Sequence, residues 1–134
     1  MKRIIISINE SSITKVLGAW LELVIEDEAS ILDVMIKLDE IINSKGGFPL
    51  PEYKGLLHML YNPLTDRFYK QVGVHAYTEP GKFYNVRDNV RQVLPDRTIV
   101  VIIPNAGCIG EWEEVLEYKE FCKRAHSNIA KESR

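Results

Sequence analysis

Cysteine is scarce in this chain: Cys108 and Cys122 are the only two in 134 residues. Two thiols cannot build a disulfide framework, and the 13 residues between them match no zinc-knuckle spacing. Cys122 falls on an apolar stripe and reads as a buried free thiol. Cys108 sits at a Gly-flanked turn with no neighbouring His or Lys to lower its pKa, so reactivity is not expected of it. The three histidines, His58, His75 and His126, lie far apart and form no metal-ligand spacing. No apolar run approaches the roughly 18–20 residues of a membrane span. Lys2 and Arg3 precede only a short β-branched run with no small-residue cleavage site, so a cytoplasmic protein is expected. Charge is nearly balanced, 17 Lys and Arg against 19 Asp and Glu, which removes any global pull toward nucleic acid or anionic lipid. There is no phosphate-binding Gly loop and no nucleophile elbow around Ser11-Ser12. No catalytic residue, metal or cofactor is expected.

What is present is a well-punctuated series of elements. Lys2 to Ile8 reads as a β-branched central strand, and Asn9 to Ser12 as a turn. Ala19 to Glu26 reads as a second strand, with Ala19, Leu21, Leu23 and Ile25 inward and Trp20, Glu22, Val24 and Glu26 outward. Ser30 and Asp33 form a capping-box pair, after which Ile31, Val34, Met35, Leu38, Ile41 and Ile42 line one helical face. Lys45-Gly46-Gly47 ends that helix. A loop over 48–54 leads to a third expected strand, Leu56 to Tyr61, then a hairpin turn at 62–66 and a returning strand from Arg67 to Tyr77. Glu79-Pro80-Gly81-Lys82 reads as another turn, and Asn85 to Leu94 as a short helical turn. Ile99 to Ile103, stopped by Pro104, is an apolar β-branched run suited to a strand buried on both faces at a sheet centre. Past Gly110, acidic Glu111, Glu113 and Glu114 open an expected helix that Lys123 and Arg124 close. Its loose apolar stripe of Trp112, Val115, Leu116, Cys122, Ala125 and Ile129 must cover something.

This order, with a central final strand parallel to the first, is that of an α+β, β-grasp (ubiquitin-like) domain: a mixed sheet packed on one helix. It predicts a domain over 1–107 and a helical extension over 108–134. The carboxyl half, LPDRTIVVIIP from Leu94 to Pro104, resembles the sulfur-carrier branch of that fold, the small subunit of molybdopterin synthase and the thiamine-pathway carrier. Those proteins often carry Leu, any residue, Asp-Gly-Asp, an apolar strand, Pro, three variable residues and a terminal Gly-Gly. Leu94, Asp96 and Pro104 match; Arg97-Thr98 replaces Gly-Asp. The terminal glycines of the pattern fall on Cys108 and Ile109, with Gly107 one place early, and 27 residues follow Gly107. The resemblance implies a carboxylate that a partner enzyme adenylates and converts to a thiocarboxylate, through a thin, side-chain-free tail.

Three functional readings follow. The first is a non-catalytic protein-interaction or accessory subunit related to the sulfur carriers, not an enzyme. Its partner is a protein, by resemblance an adenylating enzyme or another molybdopterin- or thiamine-pathway enzyme. Its interface candidates are Trp112, Val115, Leu116, Phe68 and Tyr69. If the last helix's apolar face is uncovered in the monomer, a dimer is a further expectation. The second is a sulfur carrier activated by trimming near Gly107, the candidate carrier tail. The third is a weak single-stranded nucleic-acid binder. Arg67 to Arg97 holds six basic residues (67, 70, 82, 87, 91 and 97) against three acids, interleaved with Phe68, Tyr69, Tyr77, Phe83 and Tyr84. The excess is small and nucleic acid is the least favoured partner.

Overall fold

The computed structural model describes residues 1–79 and 81–104. The expected extension over 108–134, with Gly107, Cys108, Trp112, Val115, Leu116 and Cys122, lies outside the described residues. Alternation sets the first strand, β1 (Lys2–Ile8), whose Ile4, Ile6 and Ile8 enter the core. A short helix, α1 (Ser11–Leu17), replaces the expected turn. Glu10 caps it by accepting from the Ile13 N–H at 2.9 Å, Ile13 is buried, and Gly18 leaves the helix at φ 88°. The second strand, β2 (Leu21–Ile25), starts later than the apolar alternation suggested, and Ala19 is exposed.

The capping box at Ser30 and Asp33 forms, and α2 (Ile31–Ser44) buries Ile31, Val34, Met35, Leu38 and Ile42 as expected. Each such side chain stabilises the fold by roughly 1.5–3 kcal/mol. Gly46 and Gly47 follow at φ 109° and 99°, so the internal Gly-Gly is a helix stop. Asn85 to Leu94 forms no helix. It is an irregular strap whose Gln92 and Val90 carbonyls accept from the Ile31 and Leu32 N–H groups at 3.0 and 2.9 Å. Of Val86, Val90, Val93 and Leu94, whose spacing looked helical, Val93 is exposed and the other three are buried beneath the strap. With Ser30 Oγ accepting from Asp33 N, the free donors of the first turn of α2 are satisfied.

Leu56 to Leu60 is a helix, α3, and not a strand. All five of its residues are buried, so no alternation or one-sided stripe marked it. Asp39 of α2, itself buried, accepts from the Leu56 N–H at 3.2 Å and serves as its cap from a distance. The hairpin at 62–66 is present but small, joining β3 (Tyr61–Asn62) to β4 (Arg67–Phe68). The expected long return strand is broken, and β5 (Gly73–Thr78) resumes after a turn, burying Val74 and Ala76 with Val72 just ahead. β6 (Lys82–Tyr84) and β7 (Thr98–Ile103) complete the main sheet.

The architecture is α+β: a five-stranded mixed sheet in the order β2-β1-β7-β5-β6, beside the small β3-β4 pair. β1 and β7 are parallel neighbours, Ile4 opposite Thr98 and Ile8 opposite Ile102, as the sequence predicted. The other pairings of the main sheet are antiparallel. Ile4, Ile6, Ile8, Leu23, Ile25, Val74, Ala76, Val100 and Ile102 share one core with α2 and α3.

Lys2 lies on the same inward alternation and is 3% exposed. Its ammonium donates to the Asp27 and Ala29 carbonyls, each at 2.7 Å, and to that of Leu94. Three acceptors match the three donors of an ammonium. Burial pushes the Lys2 pKa below its usual value, while the charges of Asp27, Glu28 and Asp33 oppose the shift. Next to it, Asp96 Oδ1 accepts from the Arg3 N–H at 2.8 Å and Arg97 N donates to the Arg3 carbonyl at 2.7 Å. The start of β1 is thus tied to both segments that flank it. Lys2→Met, which removes the shared donor of three carbonyls and leaves that of Ala29 only the Leu94 N–H at 3.4 Å, is expected to lower unfolding stability by about 2–4 kcal/mol. Arg3→Ala, which breaks only an exposed ion pair with Glu22, should cost under about 1 kcal/mol. Urea unfolding of the two variants checks the contrast.

Candidate functional site: the open face of the sheet

One face of the sheet meets the helices, and the other carries a continuous apolar row. Register aligns Ile5 with Ile99, Ile99 with Tyr77 and Tyr77 with Phe83 across β1, β7, β5 and β6. The Tyr77 and Phe83 rings meet at 5.7 Å between centroids with a 41° tilt. Val101 and Ile103 extend the row along β7, where Gly73 leaves room for Ile103 at 3.4 Å from where a Cβ would stand. Ile5, Ile99, Val101 and Tyr77 are half-buried, whereas Phe83 is 72% and Ile103 38% exposed. At the β2 edge Val24 is half exposed, and Trp20 just before the strand is 57% exposed. β7 therefore occupies the centre of the sheet, but its second face is only partly covered by the described residues, contrary to a strand buried on both sides.

Charge rims one end of this face. Arg3, Ile5, Glu22, Thr78, Asp96 and Arg97 contribute to a shallow cleft of about 460 Å³. Arg3 pairs with Glu22 at 3.5 Å and Arg97 with Asp96 at 3.8 Å, so the rim is of mixed sign. An apolar centre with a charged, internally paired rim is the anatomy of a protein-binding surface.

Of the interface residues expected from sequence, Trp112, Val115 and Leu116 lie outside the described residues, and Phe68 and Tyr69 lie away from this face. Phe68 and Tyr69 are 4% and 5% exposed, packed into the core beside β3 and β4, and offer no surface in the monomer. The signal that misled was their aromatic, basic neighbourhood. That neighbourhood forms a cleft of about 640 Å³ lined by Arg67, Lys70, Gln71, Arg87 and Asp88 among others. The arginines in and beside it are engaged. Arg87 donates to the Val72 and Lys70 carbonyls, Arg67 pairs with Asp88 at 3.7 Å, and Arg91 with Asp66 at 3.3 Å. Lys82 stands 5.5 Å above the Tyr84 ring. His58 is buried, its Nδ1 accepting from the Lys54 N–H at 3.1 Å, and His75 is exposed on β5. Among the described residues no cluster of three His, Cys, Asp or Glu could hold a metal, and no helix is long and apolar enough to cross a membrane.

Two buried polar groups escaped the sequence reading although their signal was present. Lys2 stands in step with Ile4 and Ile6, and Asp39 in step with Leu32, Met35 and Ile36 on α2. A polar residue on an apolar stripe marks a satisfied internal partner.

Compared with family models, curated proteins and solved structures, the chain matches none.

Tyr61 supplies a pH-dependent contact under the hairpin. Burial, then its hydrogen bond to Asp66 and that residue's charge, push the phenol well above its ordinary value, with Arg91 opposing. A raised folded pKa means the unfolded chain loses its proton first. The associated stability is present below about pH 10 and falls as the pH climbs toward the folded value. Tyr61→Phe is expected to flatten the loss of stability above about pH 10 relative to the parent chain. Denaturant midpoints across alkaline pH check this.

Proposed function

We propose that this chain is a non-catalytic β-grasp protein, related to the sulfur carriers, that works as an interaction or accessory subunit through the open face of its sheet. The observation that carries the reading is the apolar row Ile5, Ile99, Tyr77 and Phe83, with Ile103 beside it, bounded by paired charges. The parallel pairing of the first and last strands and the packing of α2 under the sheet support a β-grasp fold. The turn before β7 supports the relationship to carriers. Where their pattern has glycine this chain has Arg97, and Arg97 adopts φ 66°, the left-handed conformation that glycine favours. Leu94 and Asp96, the matched positions on its other side, are the residues that meet Lys2 and Arg3.

Carrier chemistry needs a carboxylate at the end of a thin tail, and in this sequence Trp112 and a run of apolar and charged residues follow Gly107. An accessory role keeps the scaffold without that reaction. The partner it would bind is a protein, an adenylating enzyme or another enzyme of the molybdopterin or thiamine pathways being the class that the resemblance suggests. A cytoplasmic setting accords with such partners. Nucleic acid binding through Arg67 to Arg97 is disfavoured by the engagement of Arg67, Arg87 and Arg91 within the fold.

Two measurements test the reading. The intact mass of the protein isolated from its native host should correspond to the uncut chain. A chain ending at Gly107 with sulfur in place of one carboxylate oxygen would establish the carrier instead. Phe83→Asp combined with Ile103→Asp should weaken binding to an adenylating enzyme by about tenfold or more, the effect of losing a central apolar contact. Unchanged affinity would remove this face from the interface.

The turn gives a separate test of the carrier-like geometry. Arg97→Gly should be neutral to stabilising by up to about 1 kcal/mol, since relief of the left-handed backbone offsets the entropy of glycine. Arg97→Val should destabilise by about 1–2 kcal/mol, because a β-branched residue tolerates positive φ poorly. Thermal unfolding of both variants measures the pair.

A further inference from the structure

We propose that the cleft lined by residues 62–71 and 87–88 is a second site, which binds the phosphate group of a small soluble ligand. It shares no residue with the cleft on the open face of the sheet, and the inference does not rest on the interaction role proposed for that face.

The first observation is charge. Among the described residues, Arg67, Lys70 and Arg87 line this cleft of about 640 Å³, with Asp88 as its one carboxylate. The local charge is positive in a chain whose net charge is −2. Phe68 and Tyr69, which also line it, are buried members of the core, so low-dielectric matter backs the cations on one side. A concave site of predominantly one sign above such a floor focuses its field into the cleft and concentrates anions there.

The second observation is how the cations are held. The Val72 N–H donates to the Tyr69 carbonyl at 3.0 Å, closing a turn with Lys70 and Gln71 at its middle. Arg87 reaches this turn from the strap and donates to the Val72 and Lys70 carbonyls. Those partners are uncharged, so they fix the guanidinium without cancelling its charge. The group is thereby ordered before a ligand arrives, which lowers the entropic cost of binding. The third observation is the weak hold of the carboxylate. Arg67 and Asp88 stand 3.7 Å apart with side chains 58% and 62% exposed, a pair that contributes little. Asp88 also has the Asn85 amide as a donor at 3.4 Å. An entering anion can therefore draw Arg67 away from Asp88 at small cost.

The donors select phosphate over other anions. Two guanidinium groups and an ammonium present many N–H donors, which suit an anion with several acceptor oxygens. A phosphate monoester carries about −1.5 to −2 charges at pH 7 and three such oxygens. A carboxylate offers fewer oxygens and less charge. A nucleic-acid strand would need aromatic faces on which bases stack, and Phe68 and Tyr69 are buried.

The test titrates the full isotope-labelled chain at low salt with inorganic phosphate, methyl phosphate or acetate while its backbone amide resonances are followed. A separate arm measures sedimentation with phosphatidylcholine vesicles containing phosphatidic acid. Both soluble phosphates should bind saturably, with the largest shifts at Lys70, Gln71, Arg87 and Asp88, and acetate should bind about tenfold more weakly. Lys70→Gln leaves in place the main-chain carbonyl that holds Arg87 and should weaken phosphate binding about fivefold. Asp88→Asn removes the competing carboxylate and should tighten it about threefold. Both residues are exposed, and the amide spectrum of each variant shows directly that it is folded. Shifts that fail to saturate, or that scatter over the surface, would overturn the proposal. So would acetate binding as tightly as phosphate, or an affinity unmoved by both substitutions. Sedimentation with the vesicles without binding of either soluble phosphate would assign the cleft to a membrane surface and overturn it as well.

Discussion

The parallel pairing of β1 with β7 is the constraint on which the rest of the fold depends. It joins residues 2–8 to residues 98–103 across nearly the whole described length; β2 and β5 attach directly to one of these two, and β6 attaches through β5. Its inner side chains, Ile4, Ile6 and Ile8 against Val100 and Ile102, form the floor on which α2 rests. Parallel strands need a long connection between them, and the intervening chain supplies α2, α3, the small hairpin and β5. Contacts of such sequence separation close late and slowly, so this pairing also sets the kinetic difficulty of the fold.

Apolar strands alone specify such a pairing weakly, since a two-residue slip keeps Ile4, Ile6 and Ile8 facing inward. Lys2 removes that degeneracy. Its ammonium finds three carbonyls, of Asp27, Ala29 and Leu94, only when β1 is in register with both the end of β2 and the approach to β7. A slip would bury the ammonium without acceptors, at a cost of several kcal/mol. Asp96, accepting from Arg3, repeats the constraint one residue on. The strap over 85–94 belongs to the same device. It ends at Leu94, whose carbonyl meets Lys2, and starts α2 by accepting its free N–H groups.

Elements with a one-sided pattern and a recognisable end were legible in the sequence. β1 and β7 declared themselves by β-branched runs, and α2 by its stripe, its Ser30-Asp33 cap and its glycine stop. Elements without a polar side were not. α3 is five residues long and buried all round, so a short apolar run could stand equally for a strand. α1 was hidden by Ser11-Ser12, which carry turn chemistry but here lie inside a helix capped by Glu10. The spacing of Val86, Val90, Val93 and Leu94 looked helical because three of the four anchor an irregular strap in the same core, while Val93 faces solvent. Of the candidate surface, Trp20 and Val24 were recognised as outward-facing from alternation along β2. The row from Ile5 to Phe83 was not, because it assembles four strands whose order no local pattern reveals.

An apolar row at the middle of a sheet costs free energy while it faces water, so any surface that covers it gains the hydrophobic term that the exposed Phe83 and Ile103 forgo. In a sulfur carrier the residues after the last strand are spent on reaching another enzyme's active site, which requires them to be thin and unattached. Here the same stretch of chain bears Trp112, Val115 and Leu116, side chains that would obstruct a narrow channel. The carrier reaction and this sequence are therefore at odds, and the apolar outer side of β7 is the surface that the proposed accessory role would use instead.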